Sequence, residues 1–144
     1  MGGEAARQKI WLDAVSSIAV IEIIEGYHSG GRQSHRGRKE EETDVHIAVS
    51  VVVDAARDRF DRAILVTGDR DQGPTVRAAA LEFGKRVDVW ISPNQDVGFW
   101  KAAEAYNGVR VRTITPAMLR KSRLPERLQV NGREIEAPRI WRAP

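Results

Sequence analysis

The chain has 144 residues, 42% of them hydrophobic and 30% charged, with a formal net charge of +3 and no cysteine. That length fits one domain with its own core. The absence of cysteine excludes disulfides, thiolate metal sites and cysteine nucleophiles, and no apolar run approaches the roughly 20 residues of a membrane helix. A reducing cytoplasm is the expected compartment, and the basic clusters His28–Lys39 and Arg110–Arg127 suit either a phosphate backbone or plain solvent.

In chain order, EAARQKIWLDAVS (4–16) places Ile10, Trp11, Ala14 and Val15 at helical spacing and predicts an amphipathic helix. The β-branched IAVIEIIEG predicts a strand. HSGGRQSHRGRK (28–39) has no hydrophobic period and predicts an exposed loop or hairpin arm. EETDVHIAVSVVVDAARDRF is β-branched too, but Val45, Ala48, Val49, Val52, Ala56 and Phe60 share a helical face over a length strands rarely reach. A helix starting near Thr43 or Asp44 is the reading.

From there strands and helices alternate: strand RAILVTG, helix PTVRAAALEFG with Pro74 in its first turn and Gly84 as its stop, strand RVDVWIS, helix GFWKAAEAY, strand VRVRTI and a last short helix near PAMLRKS. Such alternation implies right-handed crossovers and a parallel sheet covered on both faces, an α/β fold in three layers. In the tail LQVNGREIEAP, Asn131-Gly132 between extended runs predicts a tight hairpin.

The stretch VTGDRDQGP (66–74) carries the chemistry. Functional crevices of open parallel sheets lie beyond the carboxyl ends of the strands, where Asp69 is expected. Asp71, two residues on, faces the same space, and Gly68 allows close backbone approach. Asp44 would add a third carboxylate if it opens its helix at the same edge. Clusters of this kind bind hard cations such as Mg2+ or Mn2+, which serve phosphodiester hydrolysis. Equally, Asp71 and Asp44 are common helix caps, and both readings stand at this point. Arg32, Arg36, Arg38 and Lys39 precede the acidic helix and would grip phosphate beside it, or line a surface loop. Trp11, Trp90 and Phe99 are expected to pack rather than to form a nucleotide platform. His28, His35 and His46 lack metal-ligand spacing.

TDVHIAV (43–49) followed by RFDRAILVTGDRDQGPTVRAAALEFGKRVDVW (59–90) resembles the NYN domain, the LabA-like branch of the PIN-like nucleases. Thr67-Gly68-Asp69-Arg70-Asp71 and Pro74 match its hallmark, an acidic helix start followed by SGDSD and a proline. WLDAVSSIAVIEIIEG and LRKSRLP resemble flanking segments, so the likeness covers nearly the whole chain. It implies a PIN-like, Rossmann-like sheet and a metal-dependent ribonuclease whose acidic site matches Asp44, Asp69 and Asp71, with RNA as partner and Mg2+ or Mn2+ as cofactor. The family's first strand, ending in Asp-x-x-Asn, has no counterpart here. Its place is central, between the strand around Ile21 and the strand around Ile64. Ser50 stands where many relatives carry an aspartate, and Glu40–Glu42 where a lysine is common. The departures imply an alternative, a catalytically impaired RNA-binding or interaction module, and an open sheet edge that a second copy or a partner segment would cover. The expected organisation is a domain over 1–126 and a hairpin tail over 127–144.

Overall fold

The computed structural model describes residues 3–18, 20–24, 35–95 and 97–141, with the backbone alone over 4–5 and 35–42. The elements are α1 (Glu4–Ile18), α2 (His35–Ala56), β1 (Arg62–Val66), a 3-10 turn (Arg70–Gln72), α3 (Gly73–Arg77) continued by a π turn (Ala78–Glu82), β2 (Arg86–Ile91), α4 (Gly98–Ala103), β3 (Val109–Thr113), α5 (Pro116–Lys121), β4 (Arg127–Val130) and β5 (Arg133–Glu136). They divide into two compact units, Ile24–Met118 and Met1–Ile23 with Leu119–Pro144. Among the described residues no helix is long and apolar enough to cross a membrane.

In the larger unit β1, β2 and β3 form a parallel sheet in that order, with Leu65 opposite Val89 and Val87 opposite Val109. This is the α/β architecture expected from the alternation. Leu65, Val87, Val89, Ile91 and Val109 share one sheet face and close a core with Val76, Ala79, Trp100 and Ala103 from α3, its π turn and α4, and with Ala55 from α2. Helices on a single face are what two successive right-handed crossovers in the same direction produce. The other face, also expected to be covered, presents in this unit the exposed side chains of Arg62, Ile64, Val66, Arg86, Arg110 and Arg112. Asp88, only 2% exposed, lies among them, paired with Arg62 and 3.9 Å from Arg112 Nε. Among the described residues β1 pairs with β2 alone, so no described strand lies on the edge where the resemblance puts a further one.

Three expectations are corrected. First, α2 begins at His35, not near Asp44, so residues 35–39 of the expected basic arm are helical. Arg, Lys and Glu are good helix formers, and the run RKEEE extends the helix toward the N-terminus despite Gly37. Second, the helix turns a different stripe inward. Ile47, Val51 and Ala55 meet the core, while Val45 and Val49 are exposed. Residues 45–53, VHIAVSVVV, are apolar nearly all round, so the sequence period leaves the phase of the helix undetermined. Third, Val20–Ile24 form no strand, and Val20, Ile21, Ile23 and Ile24 are exposed. β propensity measures fit to a pleated, half-buried surface, and no described strand pairs with this one.

Chain punctuation matches expectation. Gly84, at φ +63, ends the helical run, and Lys85 N donates to Ala79 O at 2.9 Å. Lys85 is buried, with Asp58 as its ion-pair partner and the Phe60 ring 5.9 Å from its ammonium. In the smaller unit, β4 and β5 pair antiparallel with Val130 opposite Arg133. The two loop residues, Asn131 (φ 51) and Gly132 (φ 77), are both left-handed, the geometry that matches the strands' twist.

Candidate functional site

The acidic turn is built outward from β1. Thr67 N donates to Trp90 O at 3.1 Å, extending the sheet ladder one residue past the strand. Thr67 Oγ1 then accepts from Asp69 N at 3.0 Å. Asp69 is extended (φ −76, ψ 121), and its Oδ1 accepts from Asp71 N at 2.9 Å, capping the 3-10 turn. The cap is therefore Asp69. Asp71 is exposed inside that turn and does not cap α3, which makes no side-chain capping bond and starts with a proline in its first turn.

Gln72 is the element that sequence reasoning missed. It is 1% exposed, its Nε2 donates to Asp44 O at 2.9 Å, and its Oε1 accepts from Thr75 Oγ1 at 3.1 Å. A buried carboxamide must satisfy both ends, and here one end reaches α2 and the other α3. The bond ties the backbone at Asp44, half-buried in mid-helix, to the turn that carries Asp69 and Asp71. A glutamine between an aspartate and a glycine reads as an exposed turn residue, so nothing in the sequence signals this role.

Gly68 permits the close approach expected of it, but of a particular neighbour. A Cβ there would fall 1.9 Å from the Gln95 carboxamide, whose Oε1 also accepts from Ser92 N at 3.3 Å. The loop leaving β2 thus lies directly against the acidic turn.

Asp69 and Asp71 are brought onto one turn at the carboxyl end of β1, and Asp44 is attached to it through its main chain. Among the described residues, however, no group of three or more His, Cys, Asp or Glu side chains is arranged to hold a metal ion. The three-carboxylate cluster expected from the sequence presumed that Asp44 opens its helix at the sheet edge. With α2 starting at His35, Asp44 is its tenth residue instead. Arg36, Arg38 and Lys39 fall in the first turns of α2 with side chains outside the described set, and Arg32 lies outside the described residues.

Beside the turn runs a groove between α3 and α4, lined by Arg70, Asp71, Arg77, Phe99 and Tyr106 among others. Phe99 is 40% exposed and Trp11 49%, at the open end of the core or partly buried packing expected of them, whereas Trp100 is fully buried.

A family model described as NYN domain matches residues 2–108. No curated protein and no solved structure matches the chain.

Proposed function

The chain belongs to the NYN domain family, within the PIN-like nuclease superfamily, a membership that suggests a nuclease or RNA-related function; from it we propose that the protein is a divalent-metal-dependent ribonuclease hydrolysing RNA phosphodiester bonds. The observation that carries the reading is the turn after β1, where Asp69 and Asp71 stand two residues apart and Gln72 attaches the Asp44 backbone.

The donor chemistry suits a small hard cation. Mg2+ and Mn2+ accept carboxylate oxygens and are ordinarily held by one or two of them, water and substrate phosphate filling the remaining positions. Asp69 and Asp71 would hold the ion, with Asp44 as the third acidic residue of the site. When bound, the ion polarises a phosphoryl oxygen and lowers the pKa of a water molecule. The chain's own share is positional. The capping bond to Asp71 N fixes one oxygen of Asp69 and leaves the other for a ligand, while the Thr67 bond fixes the backbone from which Asp69 projects. Arg32, Arg36, Arg38 and Lys39, on the approach to Asp44 along the chain, would neutralise phosphates of the RNA.

Manganese-stimulated cleavage of a labelled RNA is expected from the native chain and at least a hundredfold less from Asp69→Asn, on the order of what losing one stabilising group of an active site costs. Equal cleavage by both proteins would reject the assignment. A second reading, a non-catalytic PIN-like module that binds RNA or a protein partner, is favoured by the absence of a three-carboxylate group among the described residues. Calorimetry separates the two: manganese binding lost in Asp69→Asn supports the enzyme, and RNA binding indifferent to metal supports the module.

A further inference from the structure

We infer that the groove between α3 and α4 is a subsite for one unpaired nucleotide of RNA, in which Phe99 stacks the base and Arg77 meets the phosphate. The subsite presupposes that RNA is the ligand, as in the proposed function. It does not presuppose that the chain cleaves it.

Three observations concern the ring. Phe99 is 40% exposed although large aromatic rings bury well. It meets the fully buried Trp100 edge-on, with ring centroids 5.2 Å apart at 83°. Gly73 leaves the ring room against the acidic turn: a Cβ at that position would lie 2.9 Å from Phe99 Cζ. A rigid ring with an open surface is what a stacking platform requires, since stacking draws on the π face that every base shares.

The charges around the ring fit a nucleotide rather than an apolar ligand. Arg70 stands over one face of the Phe99 ring, 5.9 Å from its centroid and in cation–π range, so a base stacks on the opposite face. Arg77 lines the same groove, exposed and without a hydrogen bond or ion pair among the described residues, so its guanidinium can meet a phosphate without giving up a protein partner. Glu82 also lines the groove, which gives a phosphate reason to bind at the arginines rather than along its whole length. The cavity, about 720 Å3, lies within the roughly 300–1,000 Å3 of small-molecule sites.

Continuity settles which RNA segment enters. Asp71 is part of the groove wall, so a base held on Phe99 belongs to a nucleotide adjoining the one whose phosphate a cation at Asp69 and Asp71 would hold. A base in a duplex is stacked and paired on both sides and cannot enter a walled groove, which selects single-stranded RNA.

The test is fluorescence anisotropy with the whole chain in EDTA, using a short labelled oligouridine and the same length of duplex RNA as probes. Phe99→Ala is expected to weaken oligouridine binding about tenfold, and Phe99→Tyr to restore it to within about twofold of the native chain. Arg77→Gln is expected to lower the slope of log K against log salt by about 0.7, the share of one phosphate on a single strand. Duplex binding should be indifferent to Phe99. Unchanged oligouridine affinity in Phe99→Ala together with an unchanged salt slope in Arg77→Gln overturns the subsite, as does a native chain that binds no oligouridine. If Phe99→Ala loses its cooperative thermal transition, the salt slope of Arg77→Gln, at an exposed position, decides. Manganese-dependent cleavage by the native chain and Asp69→Asn is measured in parallel. A chain that binds through Phe99 and Arg77 but cleaves nothing keeps the subsite and loses the ribonuclease reading; one that cleaves with Phe99 and Arg77 both silent does the reverse.

Discussion

Gln72 is a single side chain with two structural duties, and removing it tests both. Gln72→Leu keeps the volume but strips the partner from the buried Thr75 hydroxyl and breaks the attachment to α2. An unsatisfied buried polar group costs about 1–3 kcal/mol, and a loss of that size should appear in urea unfolding. A loss well under that range would mean that the carboxamide bonds contribute little to the fold. At Gly68 the expectation is milder. The atoms that an added methyl would meet are the far end of the Gln95 side chain, which can swing away at the expense of one 3.3 Å bond to Ser92 N, so Gly68→Ala should fold with nearly native stability. Two carboxyls contribute to the acid limb of stability. The ammonium of Lys85, bonded to Asp58, holds that carboxyl below its usual range, and the N–H of Val111, with Lys101 second, does the same for Glu104. A carboxyl depressed on folding stabilises the fold above its unfolded pKa, and the benefit is lost as pH falls through its folded pKa. Glu104→Gln should therefore flatten the dependence of Tm on pH through the acid range while changing little of its shape near neutrality; an acid limb identical to the native one would remove Glu104 from this role.

At the level of elements, the strands and the hairpin were legible because their signals are local. RAILV, RVDVWI and VRVRT are short and β-rich, and helices separate them; Asn131-Gly132 fixes a turn by backbone conformation alone. Gly132→Ala, at φ +77, should lose about 1 kcal/mol or more of hairpin stability, read as faster hydrogen exchange at β4 and β5. What escaped was non-local. The inward stripe of α2 is decided by which residues the sheet leaves room for, and VHIAVSVVV would satisfy either phase. The start of α2 was misread because a charged, glycine-containing run lacks the apolar period by which helices are recognised, while its helix propensity is high. The segment Val20–Ile24 has the composition of a strand, but a strand exists only beside another. The candidate site divides the same way. Asp69 and Asp71 announced themselves by type and spacing, whereas Gln72, Arg77 and Phe99 acquire meaning only from what folds next to them.

Across the whole molecule, the exposed apolar side chains include pairs on two elements of the larger unit. Ile64 is 53% exposed and Val66 65% on β1, which among the described residues pairs on one side only, and Val45 and Val49 of α2 are exposed as well. An unpaired strand edge with apolar neighbours is a template for further pairing. Concentration-dependent light scattering is expected from the native chain and should diminish in Val66→Lys, since a charged edge resists pairing. Scattering equal in the two proteins would show that this edge is not where association starts.

The bond from Gln72 ends on the carbonyl oxygen of Asp44, not on its carboxylate. Every amino acid supplies that oxygen. The Gln72 bond itself therefore does not depend on which side chain residue 44 carries. Asp44→Ser or Asp44→Asn would consequently change the chemistry offered at this point while leaving that acceptor in place.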